Sequence, residues 1–360
     1  MRILVFGATG SIGVQTIDVI KKLKYQLVGI SFYKNSKKGI AIIKDTKIKH
    51  YYSPINKKLS NVNSFQELIS KTKPDLIVNA IIGFAGLEVT LLAIKNKINL
   101  ALANKESLVV AGKFVLSAAK KNKVQIFPID SEHSAIYQAL LGRKEQLKTI
   151  YITASGGPFY KNKDTSTVSY NQAIKHPNWN MGPKISIDSA TLMNKCFEII
   201  EAFWLFNTRN IIPIYHPESI VHSMIELKDN SIISIMSNPD MKLPIQLALS
   251  SFNSSIKSQV NPLNFSNICL HFDFIDKKKF LPIAWAQQII KNPNNSLSIV
   301  INAANEEAIK LFERKKIRFN EIIKVINFAI NKIKIIKVTS IEQVYIIDQL
   351  TRKFVHNYKK

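Results

Sequence analysis

The chain has 360 residues, of which 50 are Lys or Arg and 25 are Asp or Glu, giving a formal net charge of +25. This length predicts two or three domains, and a hydrophobic content of 46% excludes wholesale disorder. No apolar run is long enough to cross a membrane and no leader is recognised before Ile3, so a cytoplasmic protein is expected. With only two cysteines, a disulfide framework and the usual zinc sites are excluded.

The excess of positive charge has two explanations. One is a basic nucleic-acid-binding protein, and the other is a general enrichment in lysine across the composition. Lysines occur throughout the chain, as at Lys57-Lys58 and Lys277-Lys278-Lys279, and do not form one stripe. This diffuse distribution favours the general enrichment.

The first 155 residues alternate short apolar runs with segments of helical spacing. Strands are predicted at 3–7, 27–32, 76–80, 98–102, 124–129 and 149–154, and helices at 11–23, 64–71, 86–96, 105–121 and 132–141. Such alternation is typical of the α/β class, with a Rossmann-like, doubly wound parallel sheet.

The pattern changes after Ser155. A polar loop is expected to about residue 187, followed by a helix at 189–206 and a hairpin with strands at 219–227 and 231–237. Beyond residue 280 only helical spacing occurs, at 282–291, 297–316, 320–334 and 341–356. We therefore predict a Rossmann-like domain at 1–150, a central α+β domain at 151–275 and a C-terminal helical bundle at 285–360.

A glycine-rich turn lies between the first predicted strand and the first predicted helix. It reads GATGSIG from Gly7 to Gly13 and holds three of only 12 glycines in the chain. Glycines permit a tight turn and close approach of the backbone to a ligand, and the helix N-terminus offers N–H groups to a pyrophosphate. In this strand–helix context the turn predicts dinucleotide binding over a purely structural role.

The end of the second strand indicates which dinucleotide binds. An NAD site places an acid there for the ribose 2′-hydroxyl, whereas a 2′-phosphate needs cations and hydrogen-bond donors. No acid occurs between Val19 and Lys44, and Lys34 supplies positive charge. NADPH is therefore favoured, mainly because the acid is missing.

Two carboxylates, Asp130 and Glu132, follow the apolar run at 124–129. Ligands of an open parallel sheet gather beyond the carboxyl ends of its strands, where Asn104-Lys105-Glu106 also lies, after the strand at 98–102. Since neighbouring carboxylates repel unless a cation lies between them, the pair predicts a hard divalent ion, Mg²⁺ or Mn²⁺. A third oxygen ligand is expected.

The best candidate for the third ligand lies in the segment 189–198. Asn194 and Glu198 are four residues apart and share a helix face, and Ser189 occupies the expected N-cap. Taken alone, this pattern is that of an ordinary capped helix with a solvated polar pair. The run just before it, at 184–188, is strand-like, however, so the helix is expected to begin directly after a strand.

Two loops supply further candidates. Ser155-Gly156-Gly157 ends the strand at 149–154 and can form a nest of backbone N–H groups for a phosphate. The stretch HPNWNMG, from His176 to Gly182, combines aromatic, Met and His side chains with Pro and Gly. That composition predicts a mobile loop that contacts a ligand.

Six motifs follow one another along nearly the whole chain: GATGSIG, LANKESLV, PIDSEHSAIYQ, TASGGPF, HPNWNMGPKISIDSATLMNKCFEIIEAFWLF and HPESIVHSMIE. In this order they resemble the 1-deoxy-D-xylulose 5-phosphate reductoisomerase family, and INAANEEAIKLF is similar to its C-terminal part. The resemblance implies an NADPH-binding N-terminal domain, a central domain for catalysis, metal binding and dimerisation, and a C-terminal helical domain. It also implies a homodimer.

The resemblance assigns roles to individual residues by matching motifs. NADPH would contact Thr9, Gly10, Ser11, Ile12, Tyr33, Lys34, Asn35, Asn104, Glu106 and Gly182. The metal would be held by Asp130, Glu132 and Glu198. The substrate would contact Lys105, Ser131, Glu132, Ser155, His176, Trp179, Met181, Ser189, Asn194, Lys195 and Glu198, and the catalytic candidates would be Lys105, Glu132, His176 and His222. Tyr33 departs from the family pattern, which has a small residue there.

The implied reaction converts 1-deoxy-D-xylulose 5-phosphate, a sugar phosphate, into 2-C-methyl-D-erythritol 4-phosphate in the non-mevalonate route to isoprenoid precursors. It uses NADPH and Mg²⁺ or Mn²⁺, with Co²⁺ as a further alternative. Two other functions stay open: another two-domain NADPH-dependent dehydrogenase, of the semialdehyde or homoserine type, and a basic nucleic-acid-binding protein. Metal dependence would distinguish the reductoisomerase from the dehydrogenase. We expect neither a specific nucleic acid nor a membrane as a partner.

Overall fold

The computed structural model of the chain describes residues 1–159, 165–179, 181–253, 255–276 and 280–358. The chain divides into two compact units. The first comprises Met1–Ser107, Val115–Gln138 and Asp240–Pro262, and the second comprises Leu108–Phe114, Ala139–Pro239 and Leu263–Lys360. This is a division by packing, and the three functional domains stay a prediction.

Strands and helices alternate from residue 2 to residue 139. In order they are β1 (Arg2–Phe6), α1 (Ser11–Lys22), β2 (Gln26–Ser31), α2 (Ser36–Thr46), β3 (His50–Tyr52), α3 (Phe65–Thr72), β4 (Leu76–Asn79), α4 (Gly86–Lys95), β5 (Asn99–Leu102), α5 (Glu106–Asn122), β6 (Ile126–Pro128) and α6 (Ser131–Ala139).

The remaining elements are mixed and then helical. They are β7 (Leu147–Ala154), α7 (Tyr170–Ala173), α8 (Pro183–Ala190), α9 (Met193–Phe206), β8 (Ile211–Tyr215), β9 (Val221–Leu227), β10 (Ile232–Met236), α10 (Lys242–Leu249), β11 (Asp273–Phe274), α11 (Leu281–Lys291), α12 (Leu297–Glu313), α13 (Ile322–Lys332) and α14 (Ile341–His356). Short 3₁₀ turns occur at Lys57–Leu59, Lys144–Gln146 and Phe319–Glu321.

The first unit contains a six-stranded sheet in the order β3-β2-β1-β4-β5-β6, with every pairing parallel. All four residues of β4 and the last four of β1 are buried, as expected for strands covered on both faces. Helix α10 contributes Ile245 and Leu249 to the same core cluster as Ile3 and Val78. The predicted α/β class with a Rossmann-like parallel sheet is confirmed.

The second unit contains a five-stranded mixed sheet in the order β10-β9-β7-β8-β11. Only β7 and β8 are parallel, and the hairpin predicted at 219–237 is present as β9 and β10. Helix α9 packs against α11, and α12 packs against both α13 and α14. Among the described helices, none is long and apolar enough to cross a membrane.

Three expectations about local structure were wrong. The strand at 149–154 belongs to the mixed sheet as β7, because its partners β8 and β9 lie far along the chain, where spacing gives no sign of the pairing. The run at 184–188 is helical, since Pro183 at the first turn of α8 favours a helix start. Ser189 therefore lies inside α8 and is not an N-cap, and Leu192, with φ of 62°, precedes α9.

Candidate active site

The glycine turn lies at the carboxyl end of β1. Gly7 has φ of +79°, and a Cβ atom there would lie 2.4 Å from the carbonyl oxygen of Ala80. A Cβ atom on Gly13 would lie 2.3 Å from the carbonyl oxygen of Gly7, so both positions require glycine. The backbone N–H groups of Gly7 and Ala8 donate to the carbonyl oxygen of Ser31, at 3.1 and 2.9 Å, which anchors the turn to β2.

Gly10 is the N-cap of α1, with φ of −74°, so Thr9, Gly10, Ser11 and Ile12 lie at a helix N-terminus. The first N–H groups of a helix have no partner within the helix and carry a partial positive charge. This end of α1 can therefore bind an anionic group such as a pyrophosphate.

The end of β2 leads into a helix that the sequence did not predict. Tyr33 is 54% exposed and Lys34 is exposed, and Asn35 is the N-cap of α2, where its Oδ1 accepts from the backbone N–H of Lys38 at 3.1 Å. The N-terminus of α2 thus adds N–H donors beside the Lys34 cation. Both features can bind a phosphate group, and the exposed Tyr33 ring is accessible for stacking with an aromatic base.

The carboxyl ends of β5 and β6 hold the acidic cluster in the first unit. Strands β5 and β6 are neighbours, so the segments that follow them, with Lys105 and Asp130, lie side by side. The Nζ atom of Lys105 lies 2.5 Å from Oδ2 of Asp130, and the Lys105 side chain is largely buried. The predicted grouping of Lys105 with the acidic pair is present in this unit.

The charge of Asp130 follows from its surroundings. Burial alone would raise the pKa of Asp130, but the ammonium of Lys105 and the imidazole of His133 hold it well below its usual value. Ser131 donates from its Oγ to Oε2 of Glu132 at 2.5 Å. The edge therefore presents an ionised carboxylate and an oriented second carboxyl group.

Asn104 has a structural role in this edge. Its Nδ2 donates to the carbonyl oxygens of Ile81 and Gly83, both at 2.8 Å, and to Oε2 of Glu106 at 3.0 Å. Its Oδ1 accepts from the backbone N–H of Ser107. Since these bonds occupy the Asn104 amide, that side chain orders the loop after β4, and its contact with the cofactor stays a prediction.

In the second unit, the loop after β7 packs directly onto α8. Gly156 and Gly157 both have positive φ, and a Cβ atom on Gly157 would lie 2.9 Å from the backbone of Ala190. The backbone N–H of Gly157 donates to Oγ of Ser155 at 3.3 Å. Glycine at 157 therefore lets the Ser155 loop lie against the end of α8 that carries Ser189.

His176 is held in one tautomer by its hydrogen bonds. The backbone N–H groups of Asn178 and Trp179 donate to its Nδ1, at 3.2 and 3.1 Å, so the proton of the neutral ring is on Nε2. That Nε2 lies 3.0 Å from Oγ of Ser155. Burial lowers the pKa of His176 to about 4, so at neutral pH the ring is an uncharged donor.

The described part of this loop, residues 176–179 and 181–182, is tied to the mixed sheet. Asn178 donates from Nδ2 to the carbonyl oxygen of Pro217 at 2.7 Å. The Trp179 ring lies 6.1 Å from that of His222, whose Nε2 is 2.8 Å from Oγ of Ser237. Met181 and Gly182, half-buried, lead into Pro183 and α8. The predicted ligand-contacting loop is therefore close to His222, and its mobility stays a prediction.

Helix α9 carries three of the predicted site residues. Lys195 is 3% exposed and Glu198 is 1% exposed, and the Lys195 ammonium donates to Glu198 and to the carbonyl oxygen of Thr153. The Asn194 amide also donates to Glu198. Glu198 is thus a buried carboxylate that two neighbours orient, which excludes the solvated polar pair.

The two units bring together different parts of the predicted site. The first unit groups the cofactor residues of the glycine turn, the end of β2, and Lys105 with Asp130 and Glu132. The second unit groups the Ser155 loop, His176 with Trp179, and α8 with α9. Because Asp130 and Glu132 lie in one unit and Glu198 lies in the other, the three-carboxylate metal site stays a prediction.

Sequence reasoning missed three contributors. Ser31 anchors the glycine turn, α2 supplies a helix N-terminus, and Asn305 donates from Nδ2 to buried Asp188 in α8, at 2.7 Å. A signal for the last existed, since Asn302 and Asn305 interrupt an otherwise apolar helix face in INAANEEAI.

Family models and known proteins agree with this geometry. The model for 1-deoxy-D-xylulose 5-phosphate reductoisomerase matches residues 3–112, and models for its C-terminal domains match 126–206 and 236–354. The 1-deoxy-D-xylulose 5-phosphate reductoisomerase of Malacoplasma penetrans is 48% identical over 361 residues, covering 100% of this chain and 96% of the relative.

Two solved structures are similar over the whole chain. A DOX-P reductoisomerase in complex with NADPH, fosmidomycin and magnesium has a TM-score of 0.91 at 33% identity, covering 99% of this chain and 97% of the other. The 1-deoxy-D-xylulose 5-phosphate reductoisomerase of Zymomonas mobilis, in complex with NADPH, has a TM-score of 0.87 at 34% identity and covers 99% and 98%. The chain belongs to the 1-deoxy-D-xylulose 5-phosphate reductoisomerase family.

Proposed function

We propose that this chain catalyses the NADPH-dependent rearrangement and reduction of 1-deoxy-D-xylulose 5-phosphate to 2-C-methyl-D-erythritol 4-phosphate. The observation that carries the proposal is the polar edge of a Rossmann-like sheet, where Lys105 contacts Asp130 in a chain that matches the family from end to end. A homoserine-type dehydrogenase and a nucleic-acid-binding protein are less well supported, because the relatives are reductoisomerases over the full length.

NADPH fits the first unit. A solved relative binds it, and here Gly7 and Gly13 keep side chains out of the turn at the N-terminus of α1. Thr9, Gly10, Ser11 and Ile12 would hold the pyrophosphate. Lys34, Asn35 and the N-terminus of α2 would hold the 2′-phosphate, with Tyr33 against the adenosine. Asn104, Glu106 and Gly182 are the other proposed cofactor contacts.

A divalent ion fits the chemistry of the predicted ligands. Asp130, Glu132 and Glu198 would bind Mg²⁺ or Mn²⁺, with Co²⁺ as an alternative, because hard ions prefer carboxylate oxygens. When bound, such an ion polarises the substrate ketone and lowers the pKa of the neighbouring hydroxyl. A solved relative contains magnesium.

The side chains of the second unit would hold the substrate phosphate. Ser155 begins the turn whose Gly157 lies against the backbone of Ala190, next to Ser189, and Asn194 and Lys195 follow on α9. His176 supplies an uncharged N–H next to Ser155. Trp179 and Met181 would cover the substrate and exclude water while the reactive aldehyde exists.

The acidic edge would serve the reacting end of the substrate. Carbon–carbon cleavage and re-formation, as a retro-aldol and aldol sequence, would give a branched aldehyde that accepts hydride from NADPH. Lys105 would stabilise developing negative charge on oxygen, and Ser131 orients Glu132. Glu132 or Lys105 would transfer protons, and His222 would act near Trp179.

The direct test supplies 1-deoxy-D-xylulose 5-phosphate with NADPH and Mg²⁺ and follows loss of NADPH absorbance, with the product identified by mass spectrometry. We expect turnover to 2-C-methyl-D-erythritol 4-phosphate, and none with the unphosphorylated sugar, because the phosphate site then has no ligand. Turnover of aspartate semialdehyde, with no reaction of the sugar phosphate, would refute the proposal.

The homodimer and the cytoplasmic location are part of the same proposal. Both follow from the family resemblance and the composition, and the presence of two free cysteines, Cys196 and Cys269, agrees with a reducing compartment. Light scattering coupled to gel filtration would measure the mass in solution. A particle with the mass of one chain at micromolar concentration would refute the dimer.

A further inference from the structure

A buried carboxylate in α8 lies next to a residue proposed to bind the substrate phosphate. Asp188 is 2% exposed, and its Oδ2 accepts from Nζ of Lys184, one turn earlier, at 2.7 Å. Its other oxygen, Oδ1, accepts from Nδ2 of Asn305 at 2.7 Å. Ser189 follows Asp188 directly, so whatever orients Asp188 also orients the backbone that carries Ser189.

Asn305 reaches Asp188 from a distant part of the sequence. It lies on α12, 117 residues further along the chain, and it is fully buried. Burial of an amide is costly unless the amide makes hydrogen bonds, so its presence in the apolar face of α12 requires a specific partner. The amide of Asn305 therefore links α12 to the C-terminal part of α8.

The same group of side chains extends to α9. The Nζ atom of Lys184 lies 5.3 Å from the centre of the Phe197 ring, over its face. Lys184, which donates to Asp188, thus joins α8 to α9, the two helices that carry the proposed phosphate ligands.

Stability alone is a weak reason for this arrangement. A buried ion pair has a large desolvation cost, and apolar side chains of similar volume commonly stabilise a fold as well or better. What directional hydrogen bonds add is a defined orientation of one helix on another. Orientation matters here because α8 and α9 are separate helices, joined through Leu192 in a left-handed conformation.

We propose that Asp188 and Asn305 are positioning residues for the phosphate site. They act through Ser189: the hydrogen bond from α12 sets the orientation of the end of α8, so that Ser189, Asn194 and Lys195 converge on one phosphate group. This inference rests on the proposed function of Ser189. It gives the C-terminal helical region a part in substrate binding through α12.

The test compares Asn305→Ala with Asn302→Ala. Asn302 is also fully buried on α12, one turn earlier, but its amide donates to Glu306 at 3.2 Å. For Asn305→Ala we expect KM for 1-deoxy-D-xylulose 5-phosphate to rise about tenfold or more, with kcat changed far less. Inhibition by inorganic phosphate should weaken in parallel, while the Kd for NADPH stays as in the wild type. Asn302→Ala should keep the wild-type KM.

Several outcomes would overturn the inference. An unchanged KM in Asn305→Ala would show that the hydrogen bond to Asp188 does not affect substrate binding. Equal increases of KM in both variants, or a parallel loss of NADPH affinity, would indicate general destabilisation instead. Where Asn305→Ala does not fold, Asp188→Asn keeps the side-chain shape and is expected to raise KM alone. Wild-type protein that does not turn over the sugar phosphate would refute the proposed function first, and the inference with it.

Discussion

The contact of Lys105 with Asp130 shows how single residues define the acidic edge. The two groups lie 2.5 Å apart, and the lowered pKa of Asp130 keeps its carboxylate ionised. A lysine in this position neutralises part of the repulsion between Asp130 and Glu132 and can also face a substrate oxygen. Charge balance at this edge is therefore set by a protein cation as well as by any bound ion.

His176 gives the protein a defined pH dependence of stability. Burial lowers its pKa to about 4, against an unfolded value of about 6.5, so the unfolded chain binds the proton first as the pH falls. Its contribution is fully present above pH ~6.5, falls towards pH ~4 and stays constant below that; because the ring is partly exposed to solvent, the loss is about 1–2 kcal/mol.

Denaturant unfolding of the wild type and of His176→Gln at several pH values measures this contribution. The free energy of unfolding of the variant should fall less steeply than that of the wild type between pH ~6.5 and ~4. His356→Gln, which replaces an exposed histidine, is the control and should follow the wild type. Parallel curves for all three proteins would contradict the prediction.

Gly157 is expected to be essential for substrate binding. Alanine there combines a positive φ with a Cβ atom 2.9 Å from the Ala190 backbone, so the Ser155 loop must move away from α8. We predict that Gly157→Ala raises KM for the sugar phosphate by about tenfold or more and lowers stability by ~1–2 kcal/mol or more. Steady-state kinetics and thermal unfolding measure the two effects.

Gly142→Ala is the matched control for Gly157→Ala. Gly142 has φ of +72° with nothing within 4 Å of the position of a Cβ atom, so only the backbone cost applies. This variant should lose about 1 kcal/mol of stability and keep the wild-type KM. Equal KM values in the two variants would show that the contact with Ala190 does not shape the site.

At the level of elements, the first unit ends its helices in an uncommon way. Five residues with positive φ that follow or lie near helix ends are lysines where glycine is usual, namely Lys24, Lys47, Lys73, Lys97 and Lys123. All five side chains are exposed. A non-glycine residue in this conformation costs about 1 kcal/mol, so the lysine enrichment of the composition has a structural cost at each turn.

The end of α5 offers a direct test of that cost. Lys123 is its C-cap residue with φ of 58°, and Lys123→Gly should stabilise the protein by about 0.5–1 kcal/mol. Lys120→Gly, in the last turn of the same helix, should destabilise it by about 1 kcal/mol, because glycine is a poor residue inside a helix. Thermal unfolding compares both with the wild type, and changes of the same sign would refute the explanation.

For the whole molecule, the net charge of +25 does not identify a partner. The enrichment in lysine extends even to the five helix–strand turns, where a positive φ favours glycine. Binding of nucleic acid through such scattered charges should be weak and should fall steeply with added salt. Function therefore has to be inferred from the polar edge and from the helices proposed to bind phosphate.

Removal of divalent ions is the corresponding prediction for the whole molecule. EDTA should abolish turnover of 1-deoxy-D-xylulose 5-phosphate, and Mg²⁺ or Mn²⁺ should restore it, because the carboxylate ligands would lose their ion. Fluorescence titration with NADPH in EDTA is the control, since the glycine turn lies apart from the proposed ligands in the sequence. Full turnover in the chelator would refute the metal assignment.

Much of the first unit was predictable because its signals are local. The apolar runs of β1, β4 and β5 and the GATGSIG turn fall where expected, and the absence of acids after β2 agrees with Lys34 and the N-terminus of α2. Helix α2 itself was missed, and among its residues only Gly39 is buried. The run at 184–188 was misread because Ile185 and Ile187 alternate with polar residues inside a helix.

The sequence by itself determined the α/β class, the position of the glycine turn and the residue types of the segments proposed to bind metal and phosphate. Each of these depends on spacing within about 20 residues, which periodicity and motifs record. Only the tertiary structure decided that β7 joins β9, that Gly157 lies against Ala190 and that Asn305 reaches Asp188. Those contacts join residues that are distant in the chain, and their energy comes from packing and from hydrogen bonds between buried groups, which no local pattern records.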